Sequence, residues 1–258
     1  MLTSQVITLA KDGLAAALLS LQPHFVRPGE YEAMERLTRF LCSSEAPASS
    51  SASHHGAFPG GLLVHTFRVY EVLCNLASNV NSGATALGRL QALPEETCKG
   101  RDVLETELNS LNPGSLFKAA VLHDFNKLQD LQGRSVYVPN ILKSGKVSDA
   151  KPWEVNKKSG AFSCLGESME SNTPGAAIPS WWKVLLSADG ITVRDGVVSL
   201  AVAESISPGF HQFVSEQEAN AIIYHDGAYA GRTGLAGNEC LLQILLHAAD
   251  MVAARLIC

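Results

Sequence analysis

Apolar side chains recur at helical spacing along most of this chain, and that periodicity constrains its fold more than any other feature. A chain of 258 residues suits one large domain or two small ones. Because no internal repeat divides it, we expect a single all-α domain over residues 1–258, built as a helical bundle. The predicted helices cover residues 2–21, 31–41, 61–76, 115–128, 199–206, 215–224 and 238–256.

Residues 131–198 interrupt the helical pattern. They contain scattered glycines and prolines, several lysines and little periodicity, which predicts a long irregular insertion or lid over the surface. Within it, residues 191–198 alternate between apolar and polar side chains around Asp195-Gly196, and this alternation predicts one small β-hairpin. A serine-rich stretch over residues 42–55 is predicted to be a loop.

Composition and charge exclude several classes of protein. A hydrophobic fraction of 46% against 17% charged residues is too high for a disordered chain. The 20 basic and 25 acidic residues give a net charge of −5, which disfavours long nucleic acid as a partner. The insertion nevertheless carries a basic strip that could contact phosphates, formed by Lys143, Lys146, Lys151, Lys157 and Lys158.

The chain lacks the marks of a membrane or secreted protein. No uncharged apolar run reaches the ~18 residues of a membrane span. Lys11 and Asp12 interrupt the first segment, where a secretory signal would be apolar. The six cysteines form no Cys-x-x-Cys pair, which argues against a zinc knuckle or a disulfide scaffold. We therefore expect a cytoplasmic protein with no membrane partner.

Histidine and aspartate residues occur within the apolar helices, where an ordinary core would exclude them. The adjacent His123-Asp124 follows an apolar run, and burying its carboxylate without a partner costs several kcal/mol. A divalent cation removes that cost by binding the carboxylate and the imidazole together, and His65 and Asp250 could each add a ligand from a neighbouring helix. Such a set suits manganese, iron, cobalt, nickel or zinc, and magnesium is a further candidate. The structural alternatives are a core histidine bonded to a backbone carbonyl and a salt-bridged His-Asp pair.

Three extended motifs contain these residues in a fixed order. His54-His55 precede GGLLVHT at 60–66, AAVLHDFNK spans 119–127, and IIYHDG at 222–227 is followed by LLHAAD at 245–250. In this order they resemble the motifs of the HD superfamily of metal-dependent phosphohydrolases. The resemblance runs from residue 47 to residue 255 and is poor only in the insertion.

The resemblance implies an HD-type helical bundle that binds a divalent metal ion. The ligands that it implies are His65, His123, Asp124 and Asp250. Many members of the family carry a Gly-His dipeptide upstream of the later histidine, whereas this chain has no histidine at residues 198–202. We therefore expect one metal ion per chain rather than two.

The same resemblance implies roles around the metal. It places Lys127 near the substrate phosphate, and it gives His225 contact either with that phosphate or with a second metal ion. Asp124 could also orient the attacking water, so Asp124, Lys127 and His225 are the candidate catalytic residues. The candidates for contact with the substrate or with the ligands are His54, His55 and His247.

The function implied is hydrolysis of a phosphate ester, with a nucleotide as the favoured small-molecule substrate. A divalent cation lowers the pKa of bound water toward about 7, so a metal-bound hydroxide can attack the phosphoryl group near neutral pH. Two alternatives stay open. One is a catalytically degenerate HD module that binds a nucleotide or a protein partner without turnover. The other, less favoured, is an iron oxygenase on the same fold. The sequence leaves the oligomeric state open.

Overall fold

The computed structural model describes residues 2–50, 52–89, 111–130, 133–156, 195–225 and 240–256. Within these ranges the protein is mostly helical, with seven α-helices and one two-stranded antiparallel sheet, which confirms that helices dominate the fold. The α-helices are α1 (Leu2–Ser20), α2 (Glu30–Ser43), α3 (Gly61–Arg89), α4 (Pro113–Leu122), α5 (Asp195–Ile206), α6 (Glu216–Ile223) and α7 (Leu241–Leu256). Short 3-10 turns occupy Gln22–His24, Phe125–Lys127 and Phe210–Phe213.

Helix α3 joins three other helices into one core. It packs against α1, α4 and α7, and its residues Leu62, Leu63, Val69 and Leu73 are buried. Helices α5 and α6 pack against one another and against α4. The apolar faces predicted from the helical period are thus the faces that meet in the core. No helix in the described ranges is long and apolar enough to cross a membrane.

A close backbone contact fixes the start of α3. A Cβ atom at Gly61 would lie 2.0 Å from the carbonyl oxygen of Gly56, so only glycine permits this approach. Gly60 has a φ of 78°, in the left-handed region that favours glycine. The loop that carries His55 is thereby held against the start of α3. This start lies one helical turn before His65.

Helix α4 begins and ends earlier than the periodicity predicts. Its N-cap is Asn112 rather than Ser115, because Asn112 Oδ1 accepts a hydrogen bond from the Ser115 backbone N–H. The helix ends at Leu122 rather than at residue 128. The chain then passes through Asp124, at φ −114° and ψ 20°, into the 3-10 turn Phe125–Lys127. The predicted ligand pair therefore lies where the helix stops.

The two-stranded sheet lies in a different part of the chain from the predicted hairpin. Strand β1 (Tyr137–Pro139) pairs antiparallel with strand β2 (Trp153–Val155). The hairpin prediction was wrong over residues 195–198, which form the first turn of α5, and residues 191–194 lie outside the described ranges. The single domain over residues 1–258 and the insertion over residues 131–198 stay predictions.

Burial on all sides explains why the sequence pattern predicts a hairpin at the first turn of α5, whereas the helix predicted over residues 199–206 is confirmed. Its residues Val197, Val198, Leu200 and Ala201 are all buried, so no polar face interrupts the apolar run and no helical stripe is visible. A Cβ atom at Gly196 would lie 2.1 Å from the Ile222 carbonyl oxygen. This glycine therefore marks a close contact between two helices and not a turn.

Candidate metal centre

Helices α3 and α4 bring imidazole and carboxylate groups together in the core. His65 lies on α3, His123 and Asp124 follow the last residue of α4, and all three are buried. The His65 Nε2 and His123 Nε2 atoms are 3.2 Å apart. Asp124 Oδ2 lies 3.7 Å from the first and 3.4 Å from the second. One ligand atom from each residue lies within 4.8 Å of the others, so this group could hold a metal ion.

Helix α7 brings a second carboxylate to the same place. Asp250 Oδ1 lies 2.9 Å from His65 Nε2 and 3.9 Å from His123 Nε2. The Asp250 side chain is 22% exposed, whereas that of Asp124 is 9% exposed. All four residues predicted as ligands thus lie together, and Asp250 lies on the side that solvent reaches.

Hydrogen bonding distinguishes the two histidines of this group. His123 Nδ1 donates to the Ala120 carbonyl at 2.7 Å, so in the neutral ring the lone pair is on Nε2, which is directed toward His65 and the carboxylates. His65 Nδ1 is buried and has no hydrogen-bond partner in the described part of the chain. The alternative of a core histidine held by a backbone carbonyl therefore does not describe His65. Two imidazole nitrogens directed at one point beside carboxylate oxygens fit a divalent transition metal.

Electrostatic interactions keep both carboxylates charged. Burial favours the neutral form of Asp124, but Lys127 and His123 outweigh it and hold the pKa of Asp124 well below its usual range. Burial also favours the neutral form of Asp250. The hydrogen bond from His65 and the charge of His123 outweigh this effect and lower the pKa of Asp250 to about 2. Both groups are therefore carboxylates at neutral pH, the form in which they bind metal ions.

The pKa values of the two imidazoles shift in opposite directions. Burial lowers the pKa of His65, and the hydrogen bond with Asp250 does not offset that effect. Burial also disfavours protonation of His123, but the charge of Asp124 outweighs it and the pKa of His123 rises. Positive charge on His123 is therefore stabilised by Asp124, whereas burial disfavours it on His65.

Lys127 and His225 approach different oxygens of Asp124. Lys127 Nζ lies 2.6 Å from Asp124 Oδ2. Burial disfavours the charged lysine, but this ion pair outweighs burial and raises the pKa of Lys127. His225 Nε2 lies 3.9 Å from Asp124 Oδ1, and its Nδ1 donates to the Ile222 carbonyl at 2.8 Å. That bond fixes the tautomer in which Nε2 carries the lone pair directed at the cluster.

The three histidines predicted to contact substrate or ligands have different surroundings. The His55 ring lies 4.8 Å from the His65 ring, and burial together with His65 lowers the pKa of His55 to about 4. His54, the preceding residue, is exposed. His247 Nδ1 donates to the His225 carbonyl at 2.6 Å, so this side chain supports the end of α6. Contact of any of the three with a substrate stays a prediction.

A buried serine behind the ligand pair was not predicted. Ser199 on α5 is fully buried, and its hydroxyl contacts the His123 carbonyl and the Asn126 backbone N–H. A signal was present, because Ser199 is the only polar residue in the run 197–203. A polar side chain in a buried apolar run needs a partner, and here that partner is the turn with the ligands.

The described residues define a mostly helical protein with a buried His-His-Asp group that could hold a metal ion. No family model, no curated protein and no solved structure matches the chain. Membership of the HD superfamily therefore stays a prediction from the three motifs.

Proposed function

We propose that the protein is a metal-dependent phosphohydrolase of the HD type, with a nucleotide as its substrate. His65, His123, Asp124 and Asp250 would bind one divalent ion per chain. The observation that carries this proposal is the convergence of two imidazole nitrogens and two carboxylates, from segments far apart in sequence, on one point in the core. We also propose a cytoplasmic location, which suits the free thiols of Cys42 and Cys74.

The charge of the cluster supports a divalent ion followed by an anionic substrate. Asp124 and Asp250 are negative, and Lys127 is the lysine that pairs with Asp124. With neutral imidazoles, the cluster carries one net negative charge, which is costly to bury. With a divalent cation the sign of that charge is reversed, so a phosphate group would be attracted to the centre.

Lys127, His225 and Asp124 would each have a separate role in the reaction. When bound, a divalent ion supplies Lewis acidity and water of lowered pKa. Lys127 Nζ, held by Asp124, would neutralise the charge that builds on the phosphoryl oxygens. His225 Nε2, oriented by the bond from its Nδ1 to the Ile222 carbonyl, would hold the proton exchanged with a reacting oxygen. The Asp124 carboxylate would orient the attacking water.

Two segments border the site and would contact the substrate beyond its phosphate. The first is the loop with His55, whose ring lies against His65. The second is strand β1, where Tyr137 contributes to the raised pKa of Lys127. A hydrogen bond from the Ala52 N–H to the Ala150 carbonyl, at 3.1 Å, joins the first segment to residues 133–156. A nucleoside attached to the phosphate would lie between these segments.

Metal analysis combined with a substrate panel tests the proposal. We expect one divalent ion per chain by elemental analysis. We also expect manganese- or cobalt-loaded protein to hydrolyse at least one nucleoside monophosphate, nucleoside triphosphate or cyclic nucleotide. His123→Ala should lower turnover by about 100-fold or more, beyond the loss caused by residues that only orient ligands. His211→Ala is the matched control, because that ring pairs with Glu204, and it should keep both metal and activity.

Other results of the same experiment would overturn the proposal or identify one of the alternative functions. Metal-loaded protein that hydrolyses no member of the panel, with metal content unchanged in His123→Ala, would overturn the proposal. Nucleotide binding that survives chelation of the metal would identify the degenerate module instead. Two irons per chain with oxygen consumption would identify the oxygenase.

A further inference from the structure

A single buried serine connects helix α5 to the turn that carries His123 and Asp124. Ser199 Oγ donates to the His123 carbonyl oxygen at 3.1 Å and accepts the Asn126 backbone N–H at 3.0 Å. Asn126 Oδ1 lies 3.2 Å from the same hydroxyl. Ser199 is fully buried, so no solvent competes for these bonds. The Ser199 hydroxyl is thus hydrogen-bonded to both ends of the turn from His123 to Asn126.

The turn depends on this hydroxyl because helix α4 stops before it. Past Leu122 the chain leaves the helix and enters the 3-10 turn Phe125–Lys127. The His123 carbonyl and the Asn126 N–H are therefore bonded to Ser199 rather than to a helical partner. Buried peptide groups that lose their partners are costly, since they cannot return to water. Helix α5 supplies both partners from outside the turn.

The same part of α5 also contacts the segment before His225. A Cβ atom at Gly196 would lie 2.1 Å from the Ile222 carbonyl oxygen and 2.6 Å from Ile223 Cα. The Ile222 carbonyl is the group that accepts the hydrogen bond from His225 Nδ1. Gly196 and Ser199 lie three residues apart, on one side of the helix. One turn of α5 thus contacts the backbone that orients both His123 and His225.

We propose that Ser199 is a positioning residue of the metal centre. Its hydroxyl sets the angle of the turn that directs His123 Nε2 and Asp124 Oδ2 at the same point. Ser199 acts through the backbone of the turn rather than through the metal or the substrate. The inference rests on the metal site of the proposed function, and it is independent of the proposed reaction.

The metal affinity of Ser199→Ala tests this inference. In metal-free protein titrated with Co²⁺, we expect the dissociation constant to rise by about 10–100-fold, the loss typical of groups that orient metal ligands. The visible absorption of bound Co²⁺ should change as well, because it reports the arrangement of the ligands. Ser205→Ala is the matched control: it removes a hydroxyl from the same helix, where that hydroxyl donates to the Val202 carbonyl. Both readouts should be unchanged in the control.

A second variant keeps the test decisive if Ser199→Ala does not fold. Ser199→Cys is close to serine in volume but a weaker hydrogen-bond donor, so its Co²⁺ affinity should lie between those of the wild type and Ser199→Ala. Wild-type affinity in every folded Ser199 variant would overturn this inference alone. Wild-type protein that binds no Co²⁺ would overturn it together with the proposed function. Wild-type protein that binds Co²⁺ but hydrolyses no phosphate ester would overturn only the proposed function.

Discussion

The described part of this protein contains two clusters of buried charge, and they are built in opposite ways. One is the candidate metal centre, and the other, the Lys118 cluster, consists of Lys118, Glu30, Glu218, Ser115 and Arg27. Lys118 Nζ lies 2.7 Å from both Glu30 Oε1 and Glu218 Oε1, and it donates to the Phe213 carbonyl at 2.8 Å. An ammonium group has three donors, and all three are used here.

The carboxylates of the Lys118 cluster are equally well matched. Burial favours the neutral form of Glu30, but hydrogen bonds from Arg27 and Lys118 outweigh it and lower the pKa of Glu30. Glu218 accepts hydrogen bonds from the Ser115 hydroxyl and from the Ser215 N–H in the capping box of α6. Two cations therefore face two carboxylates, and the donors match the acceptors.

The metal centre lacks this balance. His65 Nε2 and His123 Nε2 face one another at 3.2 Å, and Lys127 is the cation that pairs with its carboxylates in the described residues. Burial of charge alone therefore does not mark a functional site. Two cations matched to two carboxylates indicate a structural role, whereas two carboxylates with one paired lysine and two facing imidazoles leave a place for a further cation.

The largest change in stability should come from the Lys118 cluster. Lys118→Met keeps most of the length of the side chain, but it leaves Glu30 with Arg27 alone and removes the cation that faces Glu218. We expect the free energy of unfolding to fall by about 3–5 kcal/mol, because breaking a buried ion pair leaves uncompensated charge. Urea denaturation measures this change, and the Co²⁺ affinity of the folded variant should be unaffected.

An exposed ion pair provides the control for that experiment. Arg39→Met removes the partner of Glu35 on the surface of α2, where the arginine side chain is 77% exposed. Its effect should stay below about 1 kcal/mol. If Lys118→Met cost no more than Arg39→Met, the Lys118 cluster would not be a structural element.

The metal centre should respond to mutation in a different way. Without a metal ion, Asp250→Asn should lower stability by about 1–2 kcal/mol, less than Lys118→Met, because the charge interaction with His123 is lost while the amide oxygen can still accept the hydrogen bond from His65. At a metal concentration 100 times its dissociation constant, the wild type should gain about 2.7 kcal/mol of unfolding free energy. The variant should gain less at the same concentration. Urea denaturation with and without Co²⁺ measures both, and equal gains would remove Asp250 from the ligand set.

The smallest effect concerns the acid sensitivity of the Lys118 cluster. The pKa of Glu30 is lower in the folded protein than its ordinary value of 4.5. Glu30 therefore stabilises the fold above that value, and the stabilisation is lost as the pH falls through the folded pKa. Glu30→Gln should flatten the dependence of stability on pH below about pH 5, measured by thermal unfolding across that range. Identical slopes in both proteins would show that another group controls the acid response.

Local patterns predict the helices and the ligand pair because both depend on neighbouring residues. The predicted helices at residues 31–41 and 215–224 correspond closely to Glu30–Ser43 and Glu216–Ile223. His123-Asp124 is conspicuous in the sequence because a carboxylate beside a long apolar run is costly to bury. Periodicity and cost of burial are local properties, and they can be judged from a short window.

Contacts between distant segments could not be predicted in this way. Nothing near Lys118 in the sequence points to Glu30, which is 88 residues away. The strands Tyr137–Pro139 and Trp153–Val155 have three residues each, too few to produce a clear alternation. Ser199 gave a local signal, but its partner in another segment could be found only from the packing of α5 against the turn.

The end of α4 at Leu122 has a consequence for recognising such centres. In an unbroken helix, adjacent side chains diverge by about 100° around the axis. Here His123 Nε2 and Asp124 Oδ2 approach to 3.4 Å because the backbone leaves the helix at Asp124. If α4 continued by one turn, Asp124 would adopt helical φ and ψ and this spacing would change, although every ligand would still be present in the sequence. The end of the helix directly before the dipeptide is therefore a structural feature of this centre, in addition to the dipeptide itself.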